Sequence, residues 1–296
     1  NTLEGVAGMA QGEENSACQL TCMTMQKYKT MRYSRRVSIV SILSILGLIF
    51  LNFAPPDGRE IMQKSRETSK LEGMEAITTL RIYDAKGRER VRQTSMASKL
   101  FESGTTEKRI IRFLSPAEVK GTGMLIYDYD ERNDDMWIYM PALRKTRRII
   151  SNEKSKSFMG SEFSNADMSA PSLEDFDYTV TGSDLIGGTD CWIVEVVPVN
   201  EDIMDEVGYD RQLAWIGKQD FVFRKAEYFD EDGELFKQMI SSDVKQMDPS
   251  GKKYIATRME MNNKQNGRRS VMTIDKIQYN PDVKEAYFTL GYLERL

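Results

Sequence analysis

From residue 74 onward, apolar and polar side chains alternate. Between Met74 and Ile82, the positions Ala76, Thr78, Leu80 and Ile82 interleave with Glu75, Ile77, Thr79 and Arg81, and Asp84-Ala85-Lys86-Gly87 then supplies a turn. A period of two marks a β-strand with one buried face. Alternation resumes at 89–102, 106–114, 122–129, 136–140 and 145–150, and again at 178–185, 190–198, 212–216, 221–229, 235–247, 252–262 and 268–279. The connections are short and built on Gly, Asp and Asn, as at Gly187-Gly188 and Asp230-Glu231-Asp232-Gly233. Such turns join antiparallel neighbours, because parallel strands need long crossovers. The pattern predicts a mainly β fold with short helices, with about eleven strands in one strongly curved sheet or barrel. The apolar outer band and aromatic girdles of an outer-membrane barrel are not in the pattern.

Four segments leave the alternation. Asp57 to Lys70 carries Ile61, Met62 and Ser65 on one side and Arg59, Glu60, Lys64 and Glu67 largely elsewhere, a short amphipathic helix. Ser115 to Gly121 reads as a single helical turn capped by Ser115, with Pro116 at its first position and Gly121 at its exit. Ser151 to Ser172 holds Phe158, Met159, Phe163 and Met168 among Ser, Gly, Asn and Asp; it predicts a packed loop with helical turns, a flap over a cavity. Asn200 to Gly208 only breaks the pattern.

Ahead of the strands, Val37 to Ala54 reads VSIVSILSILGLIFLNFA, preceded by Lys27, Lys29, Arg32, Arg35 and Arg36 without an acidic residue between them. A basic flank and a short apolar stretch predict a signal peptide over residues 23–54, with a retained anchor as the alternative. Both place residues 55–296 on the exported side, in the periplasm. Residues 1–22 fit no targeting pattern and are set aside as an extension outside the fold.

Composition narrows the chemistry. With residues 1–54 set aside, 36 basic and 42 acidic side chains remain, a net charge of −6, which argues against nucleic-acid binding. The chain has no histidine, which removes Ser-His-Asp and Cys-His catalysis and histidine metal sites. Cys191 is the only cysteine after the apolar run, so no internal disulfide is expected there. No metal or cofactor is expected, and the protein is not expected to be an enzyme. A carboxylate hydrolase is a distant alternative that two convergent carboxylates of raised pKa would favour.

The acidic cluster Asp128, Asp130, Glu131, Asp134 and Asp135 falls at a predicted turn and lacks the ligand spacing of a calcium loop; solvated carboxylates are expected. The basic run Arg144-Lys145-Thr146-Arg147-Arg148 reads either as a solvated strand or as a contact for an anionic partner. Methionines recur in the strands and flap, among them Met96, Met124, Met239, Met259 and Met272, and flexible thioethers suit varied apolar ligands.

Several separate motifs together resemble the outer-membrane lipoprotein-sorting (LolA-like) proteins: Trp137 to Ile149, Ser157 to Phe163 with Asp167, Tyr228 to Leu235, Thr257-Arg258-Met259, and Phe288 to Arg295. The resemblance extends from about Gly58 to the C-terminus. It implies an unclosed antiparallel half-barrel with a helical lid and acyl chains bound between sheet and lid. It also implies an inner-membrane partner, an exporter of the resistance-nodulation-division class. On that basis Met140, Phe158, Met159 and Phe163 are expected near the ligand, and Arg144, Arg147 and Arg148 near a head group or partner. The rival expectation is a protein-binding accessory subunit of such an exporter, without lipid cargo of its own.

Overall fold

A computed structural model describes residues 56–170 and 172–295. The signal-peptide expectation and the residues before it lie outside the described residues. The first described element is helix α1 (Gly58–Ser69), which starts at Asp57, whose side chain accepts a hydrogen bond from the Arg59 N–H. Its buried positions Gly58, Ile61, Ser65 and Thr68 recur every three or four residues, the spacing of one helix face. Gly58 brings the helix against the sheet, since a Cβ there would lie 3.0 Å from the Tyr178 carbonyl carbon.

Thirteen strands follow, against the eleven or so expected, because every alternating run pairs as a separate strand. The first half comprises β1 (Gly73–Tyr83), β2 (Glu89–Phe101), β3 (Thr106–Ser115), β4 (Gly123–Tyr129), β5 (Asp135–Met140) and β6 (Lys145–Ile149). The second comprises β7 (Phe176–Ile186), β8 (Thr189–Pro198), β9 (Arg211–Gly217), β10 (Phe223–Phe229), β11 (Leu235–Gln246), β12 (Tyr254–Asn263) and β13 (Arg269–Tyr279). All neighbours are antiparallel, in the order β6-β5-β4-β3-β2-β1-β13-β12-β11-β10-β9-β8-β7. The chain therefore starts mid-sheet, meanders to one edge at β6, restarts at the opposite edge with β7, and meanders back until β13 joins β1.

The sheet stays open because β6 and β7 do not pair, but it curls strongly. Helix α2 (Ser151–Lys154) directly follows β6, and helix α3 (Glu201–Val207) lies between β8 and β9. In a flat sheet these places would be on the order of 50 Å apart. Instead Lys154 Nζ lies 2.5 Å from Glu206 Oε1, and a Cβ on Gly208 would come within 2.8 Å of Ser155 Cβ. Helix α3 itself was not legible as a helix from the pattern. Its signals are Asn200, whose side chain accepts from the Ile203 N–H, and Gly208 at φ 79 closing it. Residues 116–121 form the single turn expected, with Val119 and Lys120 N–H both donating to the Pro116 carbonyl, but Ser115 ends β3 and does not cap it.

Three apolar clusters hold the molecule. One lies on the concave face and joins Leu80, Ile111, Phe113, Met124 and Met261 to Phe158, Phe163 and Met168 of the segment linking β6 to β7. A second packs Ile61 of α1 and Val207 of α3 on Val194, Ala214 and Ile216. The third is convex: Val283, Phe288 and Leu293, the last in helix α4 (Leu290–Leu293), cover Ala97, Ile110, Leu125 and Tyr139. Both faces of β4 are thus covered, which explains its run of buried residues from Gly123 to Ile126. Cys191 is a buried free thiol.

Candidate functional site

The β6–β7 link begins at one sheet edge and ends at the other, so it must cross the open side of the sheet. Within it Ser157 bridges Ser164, and the Phe158 N–H donates to the Phe163 carbonyl, making a small hairpin that turns at Met159 (φ 52) and Gly160 (φ 77). Phe158 and Phe163 point into the concave cluster, and the Phe158 ring lies 5.8 Å from that of Phe113. Polar groups on both halves of the sheet pin the backbone of this link. Arg92 donates to the Met159 carbonyl and Arg109 to the Met168 carbonyl. Arg268 donates to the Gly160 carbonyl at 3.1 Å, and the Glu162 N–H donates to Ser270 Oγ at 2.9 Å.

The link and the C-terminal half of α1 do not fill the hollow they cover. A cleft of about 370 Å³ remains above β1–β3 and β11–β13, a size within the usual range for small-molecule sites. Half-buried methionines wall it: Met96 on β2, Met239 on β11, Met259 on β12 and Met272 on β13. Register brings Met259 directly opposite Met272 and Met239 opposite Met261. Phe158 and Met168 form part of the roof. A second hollow of about 340 Å³ shares Met168, Phe223, Met239 and Met259 with the first and runs on towards Phe176, Tyr178 and Tyr228.

One end of the cleft is polar. Arg109 Nη2 lies 3.1 Å from Glu107 Oε1 and 3.7 Å from Asp128 Oδ2. Burial alone would lower the Arg109 pKa, but the two carboxylates outweigh it and raise it. Asp128 is only 2% exposed, and its pKa is pushed up to about 8, first by burial and then by the neighbouring Asp134 and Glu107, against the pull of Arg109. Burial also raises Asp134, with Lys154 opposing. The acidic cluster is therefore the solvated turn expected only in part: Glu131 is exposed and Asp130 half-buried, but Asp128 and Asp134 are buried. Asp128 continues the concave alternation of Met124 and Ile126, so strand geometry carries it inside. Nearby, Arg66 and Lys70 of the α1 end both reach Asp130 at 3.0 Å. Asp134 does not line the cleft, while Glu107 and Asp128 face it with Arg109 between them.

Asp128 sets a pH dependence. A carboxyl whose folded pKa lies above its unfolded value of about 3.9 binds its proton more tightly in the native state. Its contribution to stability is full below pH 4 and is lost as pH rises through 8. Thermal melts at pH 5 and pH 8 should show a larger fall in the wild type than in Asp128→Asn, which has no such proton to lose. Equal falls in the two proteins would refute this assignment.

The residues nominated from sequence separate. Phe158 lines the first hollow and Phe163 the second. Met159 is half-buried against the concave cluster, at the hairpin turn. Met140, half-buried at the end of β5, lines neither. Arg144 is exposed at φ 47 beside the β5–β6 connection. Arg147 pairs with Glu153 at 2.5 Å and Arg148 with Asp135. Arg147 is registered with Ile138 and Arg148 with Trp137, so the two point to opposite faces and share no common surface. Ser98, Glu107, Arg109 and Asp128 went unnominated; their signal is the interior parity they share with Met96, Ile111 and Met124.

Among the described residues no group of Cys, Asp or Glu is placed to hold a metal ion, and no helix is long and apolar enough to cross a membrane. The model of a family described as "uncharacterized protein" matches residues 105–295. The structure is similar to that of a domain ascribed to outer-membrane lipoprotein sorting from Vibrio parahaemolyticus, at 27% identity and a TM-score of 0.73, over 80% of this chain and 98% of that one. It is equally similar to a DUF1329 family protein from Desulfovibrio piger, at 28% identity and a TM-score of 0.73, over 80% and 97% of the two chains. A LolA superfamily protein from Nitrosomonas europaea shares the fold at 19% identity and a TM-score of 0.60, over 80% and 99%. No curated protein matches significantly.

Proposed function

Since the chain belongs to the family matched over residues 105–295 and is LolA-like in fold and sequence, we propose that it is a periplasmic carrier that holds the apolar chain of a lipid, a lipoprotein or another hydrophobe between its sheet and the β6–β7 link. The observation that carries this reading is the unfilled cleft walled by Met96, Met239, Met259 and Met272. Half-buried thioethers on a concave face leave apolar surface uncovered, and an acyl chain placed there gains about 0.8 kcal/mol per buried methylene. Phe158 and Phe163 roof the chain, with Met159 at the hairpin turn and Met140 at the rim of β5. Delivery is by export behind Val37–Ala54, with residues 55–296 as the binding domain.

Transfer needs no chemistry. The link is held by a few hydrogen bonds from Arg92, Arg109 and Arg268 to its carbonyls. A partner that competes for those contacts lifts the roof and releases the cargo. We place that partner at the inner membrane, as an exporter of the resistance-nodulation-division class, gripping the β6 edge from both sides, with Arg147 on one face, Arg148 on the other and Arg144 in the connection before the strand.

Native mass spectrometry of the full chain, purified from its own host and from a heterologous one, tests the carrier reading. Adducts in the mass range of lipids are expected in both preparations, and their loss after organic extraction. Protein free of lipid from both hosts would remove the carrier reading and favour the accessory subunit that binds protein alone.

A further inference from the structure

Two buried polar atoms at the polar end of the cleft lack a hydrogen bond, Asp128 Oδ2 keeping only its 3.7 Å ion pair with Arg109. Ser98 Oγ and Asp128 Oδ2 make no hydrogen bond, although Ser98 is 1% and Asp128 2% exposed and both residues line the cleft. Buried polar groups are almost always satisfied, so two unmet ones facing the same hollow point to a group that enters it.

Their positions define the size of that group. Ser98 stands opposite Arg109 across β2 and β3, and Asp128 stands opposite Glu107 across β3 and β4. Glu107 and Arg109 are two residues apart on one face, so Ser98–Arg109 and Asp128–Glu107 are direct cross-strand pairs about 5 Å apart, whereas Ser98 and Asp128 stand two strands apart, about 12 Å between their backbones, with Glu107 and Arg109 between them. That is a span for a polar head with at least two hydroxyls, one for each unmet atom. The methionine wall begins beside it, with Met96 two residues from Ser98 on the same face of β2.

The charges there are already matched. Arg109 is engaged by Glu107, Asp128 and the Met168 carbonyl, and Lys70 and Arg66 both reach Asp130. An added carboxylate or phosphate would meet Glu107 without an uncommitted cation to offset its desolvation. An ammonium donating to Asp128 Oδ2 would sit against the Arg109 guanidinium, which already lies 3.7 Å from that oxygen, and like charges so close repel. Hydroxyls suffer neither penalty: one donates to Asp128 Oδ2 while a second accepts from Ser98 Oγ, and a protonated Asp128 serves as well as an ionised one.

We propose that the polar end of the cleft receives the head of an uncharged, hydroxyl-bearing amphiphile, held by Ser98 and Asp128, with its chain lying along the methionine wall. This rests on the carrier reading and narrows its cargo.

Calorimetric titration of the delipidated full chain with three amphiphiles of equal acyl length tests it: monomyristoylglycerol, myristate and myristoyl lysophosphatidate. The monoacylglycerol is expected to bind about tenfold or more tightly than either anion, the difference one or two buried hydrogen bonds make. Ser98→Ala and Asp128→Leu should each shrink that preference several-fold; Ser98→Ala leaves binding of the anions nearly unchanged, whereas Asp128→Leu, which takes one carboxylate away from Arg109, strengthens it, and a general loss of packing produces neither change of ratio. If Asp128→Leu fails to fold, Ser98→Ala alone decides, since it removes one oxygen and keeps the fold. Equal affinity for the three heads, tighter binding of an anion, or an unchanged ratio in Ser98→Ala overturns the head-group assignment and leaves the carrier standing. Absence of binding by all three overturns both.

Discussion

Replacing Arg109 by alanine is expected to cost about 3–5 kcal/mol of folding stability, the loss typical of breaking a buried ion pair from one side. Its side chain is 19% exposed and sits between Glu107 and Asp128, both buried on the concave face. Without the guanidinium, Glu107 keeps a buried charge with no counter-ion, and Asp128 is driven still further towards its neutral form. The Met168 carbonyl also loses its donor, so the link comes free at the end nearest β7. Urea unfolding measures the total, and replacing Glu107 as well as Arg109 with methionine isolates the cause. That double variant should recover most of the loss, because it removes the stranded charge along with its partner. A loss below about 1 kcal/mol in Arg109→Ala would mean that water already screens the cluster.

Phe158→Ala should cost a similar amount, about 3–5 kcal/mol, for a different reason. The ring is 2% exposed and belongs to the concave core with Phe113, Met124 and Met136. Its removal forfeits the transfer energy of the ring and opens a void that runs into the existing cleft. The neighbouring Phe163, held by the same hairpin, cannot move into that void without breaking the pairing of Ser157 with Ser164. Because the void joins the cleft, added lipid should restore part of the lost stability, and it should do so more in the variant than in the wild type. Denaturation with and without a long-chain amphiphile measures both quantities. A cost under about 1 kcal/mol would show the hairpin to be a loose flap and not part of the core.

The contrast between these two sites shows what strand parity allows a reader to see. Phe158 and Phe163 announce themselves because apolar side chains interrupt a polar loop. Glu107, Arg109 and Asp128 do not, because charged residues near a turn normally face water. Yet parity already places them. Ile111, Arg109 and Glu107 step along one face of β3, and Met124, Ile126 and Asp128 along the facing side of β4. Reading position before residue type would have moved the three inside. The basic run 144–148 teaches the same lesson in reverse: it looks like one patch in sequence, but Arg144 stays in the β5–β6 connection and the four residues after it are dealt alternately to two faces, where Arg147 meets Glu153 and Arg148 meets Asp135.

What the chain determines locally is the set of strands, their antiparallel meanders and the gathering of methionines on one face. A two-residue period and a turn of Gly or Asp need no distant partner to act. The tertiary structure alone decides the rest. It joins β13 to β1, so that two meanders become one sheet whose free edges are β6 and β7. That choice forces the 150–175 link across the opening, places a roof over the methionines, and buries Asp128 and Asp134 out of a row of turn-side carboxylates. Each of these outcomes depends on surfaces brought together from opposite ends of the sheet, and pairing over such separations leaves no periodicity in the sequence.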